Sequence, residues 1–482
     1  MMRFCANRKT LRVVSVLSAL AAVIATSANA NASEAPLLPA CELQPQDSDP
    51  SQPPPPPPEL KPTTIETIGQ AYFCIFPNYF GGLMLDDRPL LLSGFAGLTE
   101  ELQRRGLDQS KAIPPALTGR RSSDWAAFSQ VYQAINADVP QDPVVRQAVA
   151  EATMHAMVNS LHDDHAYWDS GRRNSSRATL GVRISGFRGP GKELFDPAAT
   201  GSFFITNVSP RSPAQAAGVR AGDEIIAING APPSVDGVLN KGALSWITSP
   251  TEGTPVTLTL HRPATDATLS VGLTAANVPP PLIQPGTTLV DGNVAYAKLE
   301  GFAVEPVEKL LSDIRQLSTT RQLRGVIFDL RGNGGGDESG GILLGALAHN
   351  VVTGYWCDSK PIRDRCTPNR PDNSVPLLNL PVVVLVDRIC ASACDVFSSA
   401  VKDLHLGTVV GTRTSGIASG PTAPYRLDDG STIWLPAFYQ LGANRERIDG
   451  IGVAPDYFAP VTAADLSAGR DPGLAKALAV LR

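Results

Sequence analysis

The chain lacks a strong charge of either sign, lacks metal-ligand spacing between its cysteines and histidines, and beyond its first residues lacks an apolar run long enough to cross a bilayer. Its 482 residues carry a formal charge of −5. With no basic block and no acidic tail, nucleic acid is not an expected partner. No histidine stands at zinc-site spacing from a cysteine, so no metal is expected. A glycine-rich run is present, but it lacks the Gly-Lys-Ser/Thr ending of a nucleotide loop and the spacing of a dinucleotide fingerprint. No cofactor is therefore implied. The apolar and charged fractions are those of a soluble globular protein, and the length suits two or three domains.

The first thirty residues read as a signal peptide. Arg3, Arg8, Lys9 and Arg12 form a basic stretch, Val13 to Ala25 is apolar, and Ala28-Asn29-Ala30 is a small-residue cleavage site, with Ala30-Asn31-Ala32 as a near alternative. The expected location is outside the cytoplasm, in the periplasm first and otherwise extracellular or envelope-associated. Membrane association would need an uncleaved leader, or lipidation near Leu38-Pro39-Ala40-Cys41, which lies far from the apolar run. Residues 31–62, with Pro53 to Pro58, read as an extended linker. Of seven cysteines, Cys5 leaves with the leader. The remaining six allow disulfides in an oxidising compartment. Cys357 with Cys366 is the expected pair, with Cys41 and Cys74 as a further candidate. Cys390 and Cys394 bracket Ser392, and a helical turn there would aim their side chains too badly to bridge.

Residues 63–175 carry helical apolar periodicity over Ile65–Ile75, Trp125–Ile135 and Val144–Leu161. The last of these runs into His162-Asp163-Asp164-His165-Ala166-Tyr167. A solvated helix end explains such a cluster, since the dipole favours His there. Residues 178–275 read as a small β domain. Thr179-Leu180-Gly181-Val182-Arg183-Ile184 turns into a strand, and Phe203 to Val208 is another. Ser212 to Val219 is a short helix with a C-cap glycine, and Asp223 to Gly230 is a strand ending in Asn-Gly. The run from Ser209 to Gly230 resembles a PDZ domain. That resemblance implies capture of peptide C-termini, with the carboxylate held near Leu180 and Gly181.

Residues 286–460 alternate strand and helix signals, as expected of an α/β layer with crossovers. Gly325 to Leu330 is a buried strand running into Arg331-Gly332-Asn333-Gly334-Gly335-Gly336. Val382 to Val386 is a β-branched run suited to a strand buried on both faces. Beyond it, Val396, Phe397, Ala400 and Val401 have helical spacing. Ser392 thus lies where a strand gives way to a helix, a position that suits a helix cap or a nucleophile beside oxyanion-stabilising N–H groups. Residues 461–482 are expected as a C-terminal helix.

Together, the leader, the helical segment, the PDZ-like run, Asp329-Leu-Arg-Gly-Asn-Gly-Gly-Gly and Ala391-Ser392-Ala393 resemble the C-terminal processing, or tail-specific, serine peptidases over roughly residues 63–460. The resemblance implies an α/β and α+β multidomain protein with a crotonase-like (ClpP-like) core. It implies Ser392 as nucleophile, and N–H groups of Ala393 and of Gly335 or a neighbouring glycine as oxyanion donors. Members with a lysine base carry it about 25 residues after the serine, where this chain has Ile417. Only Lys402 and Lys476 follow Ser392, and Lys402 is about 15 Å along the same helix. The branch typified by the tricorn core peptidase uses histidine instead. Asp164-His165-Ala166-Tyr167 and Asp449-Gly-Ile-Gly-Val-Ala-Pro-Asp456 resemble its motifs. They imply His165 as base and Asp449 as its orienting acid, with Asp164 and then Asp403 as alternatives. The expected function is an exported endopeptidase acting on protein or peptide C-termini. A peptide-binding relative that keeps the shell without the chemistry is the alternative.

Overall fold

The computed structural model describes residues 40–44, 58–172, 178–185, 203–236, 238–248, 250–278, 286–358 and 365–482. The leader, most of the proline-rich stretch and the Pro279–Pro285 linker lie outside the described residues. No helix among the described residues is long and apolar enough to cross a membrane.

The first region is four helices: α1 (Ile65–Asn78), α2 (Arg88–Arg104), α3 (Arg121–Asn136) and α4 (Pro143–Asn159). Thr64 caps α1 in a reciprocal capping box with Thr67, and the Asp142 carboxylate caps α4. Ile68, Tyr72, Leu91, Leu98, Phe128 and Met154 meet in one buried cluster. Helix α2 was not among the three expected, because Gly94 and Gly97 weaken its propensity. Both glycines face α4. A Cβ on Gly97 would stand 2.5 Å from Ala152 O and 2.5 Å from Ala156 Cβ, so close approach of the two helices requires glycine.

Residues 178–277 form short antiparallel sheets around Leu180, Ile184, Ile205, Ile225, Leu258 and Leu260. The Asn229-Gly230 turn has φ of 49° and 81°, as a two-residue hairpin turn requires. A helix at Lys241–Thr248 and a strand at Ala267–Thr274, paired along its whole length with Pro255–Arg262, complete the region.

The third region is a six-stranded sheet. Its strands, in spatial as well as chain order, are β1 (Gly286–Val290), β2 (Val294–Lys298), β3 (Gly325–Asp329), β4 (Val382–Val386), β5 (Thr408–Gly411) and β6 (Tyr457–Phe458). β1 and β2 are antiparallel, and every later pairing is parallel. In β4, Val382, Val384 and Val386 point to the layer that holds the helices Val304–Thr320 and Ala393–Asp403. Val383 and Leu385 point to the opposite layer, under Ala477 and Leu481. Both faces are covered, which is why this strand is uniformly apolar.

The C-terminal segment is two helices, Ala463–Ser467 and Pro472–Val480, rather than the single one expected. Gly469 at φ 66° ends the first, and Pro472 starts the second behind the Asp471 cap. Asp471 also forms a bidentate pair with Arg331, which in turn holds Asp329 at the end of β3.

Cys41–Cys74 and Cys357–Cys366 are disulfides, the second directly across a strand pair. Cys390–Cys394 is also a disulfide, against the expectation of poor aim. The helix begins only at Ala393, and Ser392 turns the chain at positive φ, so the two cysteines are not on one helical turn. Their Cα atoms lie 5.2 Å apart, inside bridging range.

Candidate active site

Ser392 sits between β4 and the Ala393–Asp403 helix at φ 57° and ψ −119°. A non-glycine residue with this backbone costs of order 1–3 kcal/mol, and it persists only where its surroundings hold it. Here they do. Ser392 N–H donates to Ile417 O at 2.7 Å, Ala391 N–H to Asn333 O at 3.1 Å, and Ser415 N–H to Cys390 O at 2.8 Å. The disulfide closes over the same turn.

The segment 414–419 is fixed in turn by Asp395, which is fully buried on the first turn of the helix. Asp395 accepts from Gly416 N–H at 3.0 Å, from Ile417 N–H at 3.0 Å, and from the Thr414 hydroxyl. Burial pushes its carboxyl up to about 6 against these donors. Ile417, where the resemblance led to the expectation of a lysine, therefore lies with its carbonyl on the Ser392 N–H and brings no base. The two later lysines are elsewhere: Lys402 Nζ donates to Ala454 O at 2.6 Å, and Lys476 lies 3.8 Å over the Tyr457 ring.

His165 reaches this segment because the chain after α4 becomes a strand. Tyr167–Asp169 pairs with Thr432–Pro436, which pairs with Thr422–Arg426. Trp168 Nε1 donates to Ser431 Oγ at 2.8 Å, and the Tyr167 ring stacks on Trp434. The helical segment is thereby joined to the strand that directly follows residue 419. His165 Nδ1 lies 3.1 Å from Ser419 Oγ, and the Ser419 hydroxyl donates to Asp163 Oδ1 at 2.6 Å. Asp163 also accepts the backbone N–H of His165 at 2.9 Å and the Tyr79 hydroxyl at 3.2 Å.

Asp449 is beside this group but is not the residue on Nδ1. Its Oδ1 accepts from Ala418 N–H at 3.1 Å, and Arg447 stands 3.5 Å from its Oδ2. Burial raises the carboxyls of both Asp163 and Asp449; the charge of Asp163 adds to the rise at Asp449, and that of Asp164 to the rise at Asp163. Asp403, at the far end of the helix, holds Ala443 N–H and Ser399 and takes no part. Neither Ser419 nor Asp163 was singled out by sequence. Asp163 stood in the noticed Asp-Asp-His cluster, whereas Ser419 belongs to a segment with no motif of its own.

The glycine run approaches the serine closely. Gly335 has φ 104°, and a Cβ there would fall 2.6 Å from Ser392 Cβ. Its N–H, however, donates to Asn333 Oδ1 at 2.9 Å and in this conformation is not offered to a substrate oxyanion. Ala393, as the first helical residue, has an N–H without an intrahelical acceptor. In the β region, Leu180 is fully buried, and Gly181, at φ 79°, donates its N–H to Thr179 Oγ1 at 3.0 Å.

The model of Peptidase family S41 matches residues 293–458, and that of the PDZ domain matches residues 172–261. Carboxy-terminal processing protease CtpB of Bacillus subtilis is 26% identical over 381 residues, covering 76% of this chain and 77% of its own. Tricorn protease homolog 1 of Streptomyces coelicolor is 30% identical over 284 residues, which are 56% of this chain and 25% of that protein. Among solved structures, mature CPAF complexed with lactacystin superposes with a TM-score of 0.54 at 15% identity, covering 87% of this chain and 97% of its own. That likeness bears on the fold alone. Residues 293–458 thus match Peptidase family S41 and residues 172–261 the PDZ domain, in a chain similar to the carboxy-terminal processing proteases, and these likenesses support a serine-type peptidase.

Proposed function

We propose that the chain is an exported endopeptidase that takes protein or peptide C-termini through its PDZ domain and cleaves by a Ser392–His165 acyl-enzyme mechanism. One observation carries this reading. The segment whose Ile417 carbonyl holds the N–H of the strained Ser392 also presents Ser419 to His165, more than two hundred residues upstream in the chain. In the mechanism, His165 takes the Ser392 Oγ proton as Oγ bonds to the scissile carbonyl carbon. It then returns a proton to the leaving amine, and water completes the cycle. The Ala393 N–H stabilises the oxyanion at the helix N-terminus, with a second donor from the Gly334–Gly336 run. The leader and the disulfide beside Ser392 support a location outside the cytoplasm, in the periplasm first.

The engaged N–H group of Gly335 favours a second reading, a peptide-binding protein that keeps the shell. S392A and H165A, assayed on unfolded protein and on peptides with apolar C-termini, decide between them. The peptidase reading expects turnover to vanish in both. Equal behaviour of wild type and S392A supports the binding protein, and a fully active H165A removes the base assignment.

A further inference from the structure

We infer that Ser419 and Asp163 orient the catalytic histidine, with the Ser419 hydroxyl joining the ring to a buried carboxylate in place of a direct acid contact. The inference rests on the assignment of His165 as base. It follows from counting protons. A hydroxyl has one hydrogen. At 2.6 Å from Asp163 Oδ1 that hydrogen belongs in the short, charge-assisted bond to the carboxylate. Toward His165, Ser419 Oγ can then only accept, so the 3.1 Å contact places the ring proton on Nδ1. The lone pair stays on Nε2, the tautomer a general base needs. Three donors converge on Asp163 and favour its carboxylate against the burial that raises it: Ser419 Oγ, His165 N–H and Tyr79 Oη.

When the ring takes the serine proton, Nδ1–H···Oγ–H···Oδ1 is already aligned. The imidazolium charge is balanced without a further proton moving. Asp449 cannot hold Nδ1 in this arrangement, since its partners are Ala418 N–H and Arg447. It acts as a neighbouring charge. The ionisable groups facing the relay are Tyr79 just beyond α1, Asp164 beside Asp163, and Asp449 with Arg447 from the segment before β6. Ser419 and Asp163 are positioning residues, acting through His165.

The test is steady-state kinetics of S419A, S419T, D163N and D449N beside H165A, with pH–rate profiles and thermal midpoints. S419A should lose about 10- to 100-fold in kcat with KM little changed, a part of what general-base catalysis supplies. The acid limb of its profile should move to lower pH, because the imidazolium loses its support. S419T, which keeps the hydroxyl, should recover most of the activity. The double variant S419A/D163N should be no worse than the poorer single, as expected of residues acting as a unit. A midpoint lowered equally in S419A and S419T would report packing, which the limb shift does not. If S419A keeps wild-type kcat and limb while H165A is dead, or if only D449N moves the limb, the relay is overturned and the base assignment stands. A fully active H165A overturns both.

Discussion

Gly335 is a residue whose substitution bears directly on Ser392. An alanine there would need φ 104°, and its Cβ would stand 2.6 Å from Ser392 Cβ and 2.8 Å from Ala391 O. The backbone strain alone costs of order 1–3 kcal/mol, and the clash pushes directly on Ser392. G335A should therefore lose activity out of proportion to its fall in thermal midpoint, measured as residual kcat in the still-folded fraction. Asp395 sets a pH dependence of the opposite sense for stability and for activity. Its carboxyl is raised from the ordinary 3.8 to about 6 by burial. The folded state therefore binds this proton more tightly than the unfolded state does. The group's contribution to stability is fully present in acid and is lost as pH rises through about 6. Holding Thr414, Gly416 and Ile417 in place needs the carboxylate, so turnover should fall as pH drops through the same range. Denaturant melts at about pH 4.5 and about pH 7.5 should show wild type losing on the order of 2 kcal/mol to neutral pH that D395N does not lose. An identical pH dependence in the two proteins would refute this account. Of these residues, sequence alone could nominate Ser392 and His165, because each sits in a compact motif. It could not show that Ser419 stands between His165 and an acid, since that contact spans two regions joined only by strand pairing.

At the scale of elements, legibility followed how far each pattern depends on its own residues. The strand Val382–Val386 was evident because burial on both faces demands an unbroken apolar run. Helix α2 was not, because the glycines that let it pack on α4 are the residues that argue against a helix. G97A separates the two effects. Alanine should gain about 0.5–1 kcal/mol of helix propensity. Its Cβ, 2.5 Å from Ala152 O and Ala156 Cβ, should cost about 1–3 kcal/mol in forced separation. Packing should win, with a lower urea midpoint and an unchanged m-value. A stabilised G97A would mean that α2 and α4 relax apart freely. The strand Tyr167–Asp169 was hidden for a related reason. Three residues are too few to show alternation, and their pairing with Thr432–Pro436 lies far along the chain. The pairing of Cys390 with Cys394 was missed because it depends on the positive φ of Ser392, which a helical reading of the turn does not allow.

Across the whole molecule, three regions meet around the Ser392 turn. The helical region supplies His165 and Asp163, and the core supplies Ser392, Ser419 and Asp449. The β region reaches the glycine run through Arg183, whose Nη1 would stand 2.7 Å from a Cβ on Gly332. The same region rests on the C-terminal helices, where Ala264 N–H donates to Ser467 Oγ at 3.0 Å and Gly222 packs against the Ala463 and Ser467 backbone. The Cys390–Cys394 bridge is sealed within this assembly, with both residues at 0% exposure. Thiol–disulfide exchange requires a thiolate to reach one of the sulfurs. No reductant molecule can do so while the core stays closed. In excess dithiothreitol the bridge should break at a rate that stops rising with reductant concentration once opening becomes limiting, and a rate that stayed proportional to dithiothreitol throughout would contradict this. The decay of peptidase activity under those conditions is then a stopwatch: it times how often the interior around the serine opens to solvent.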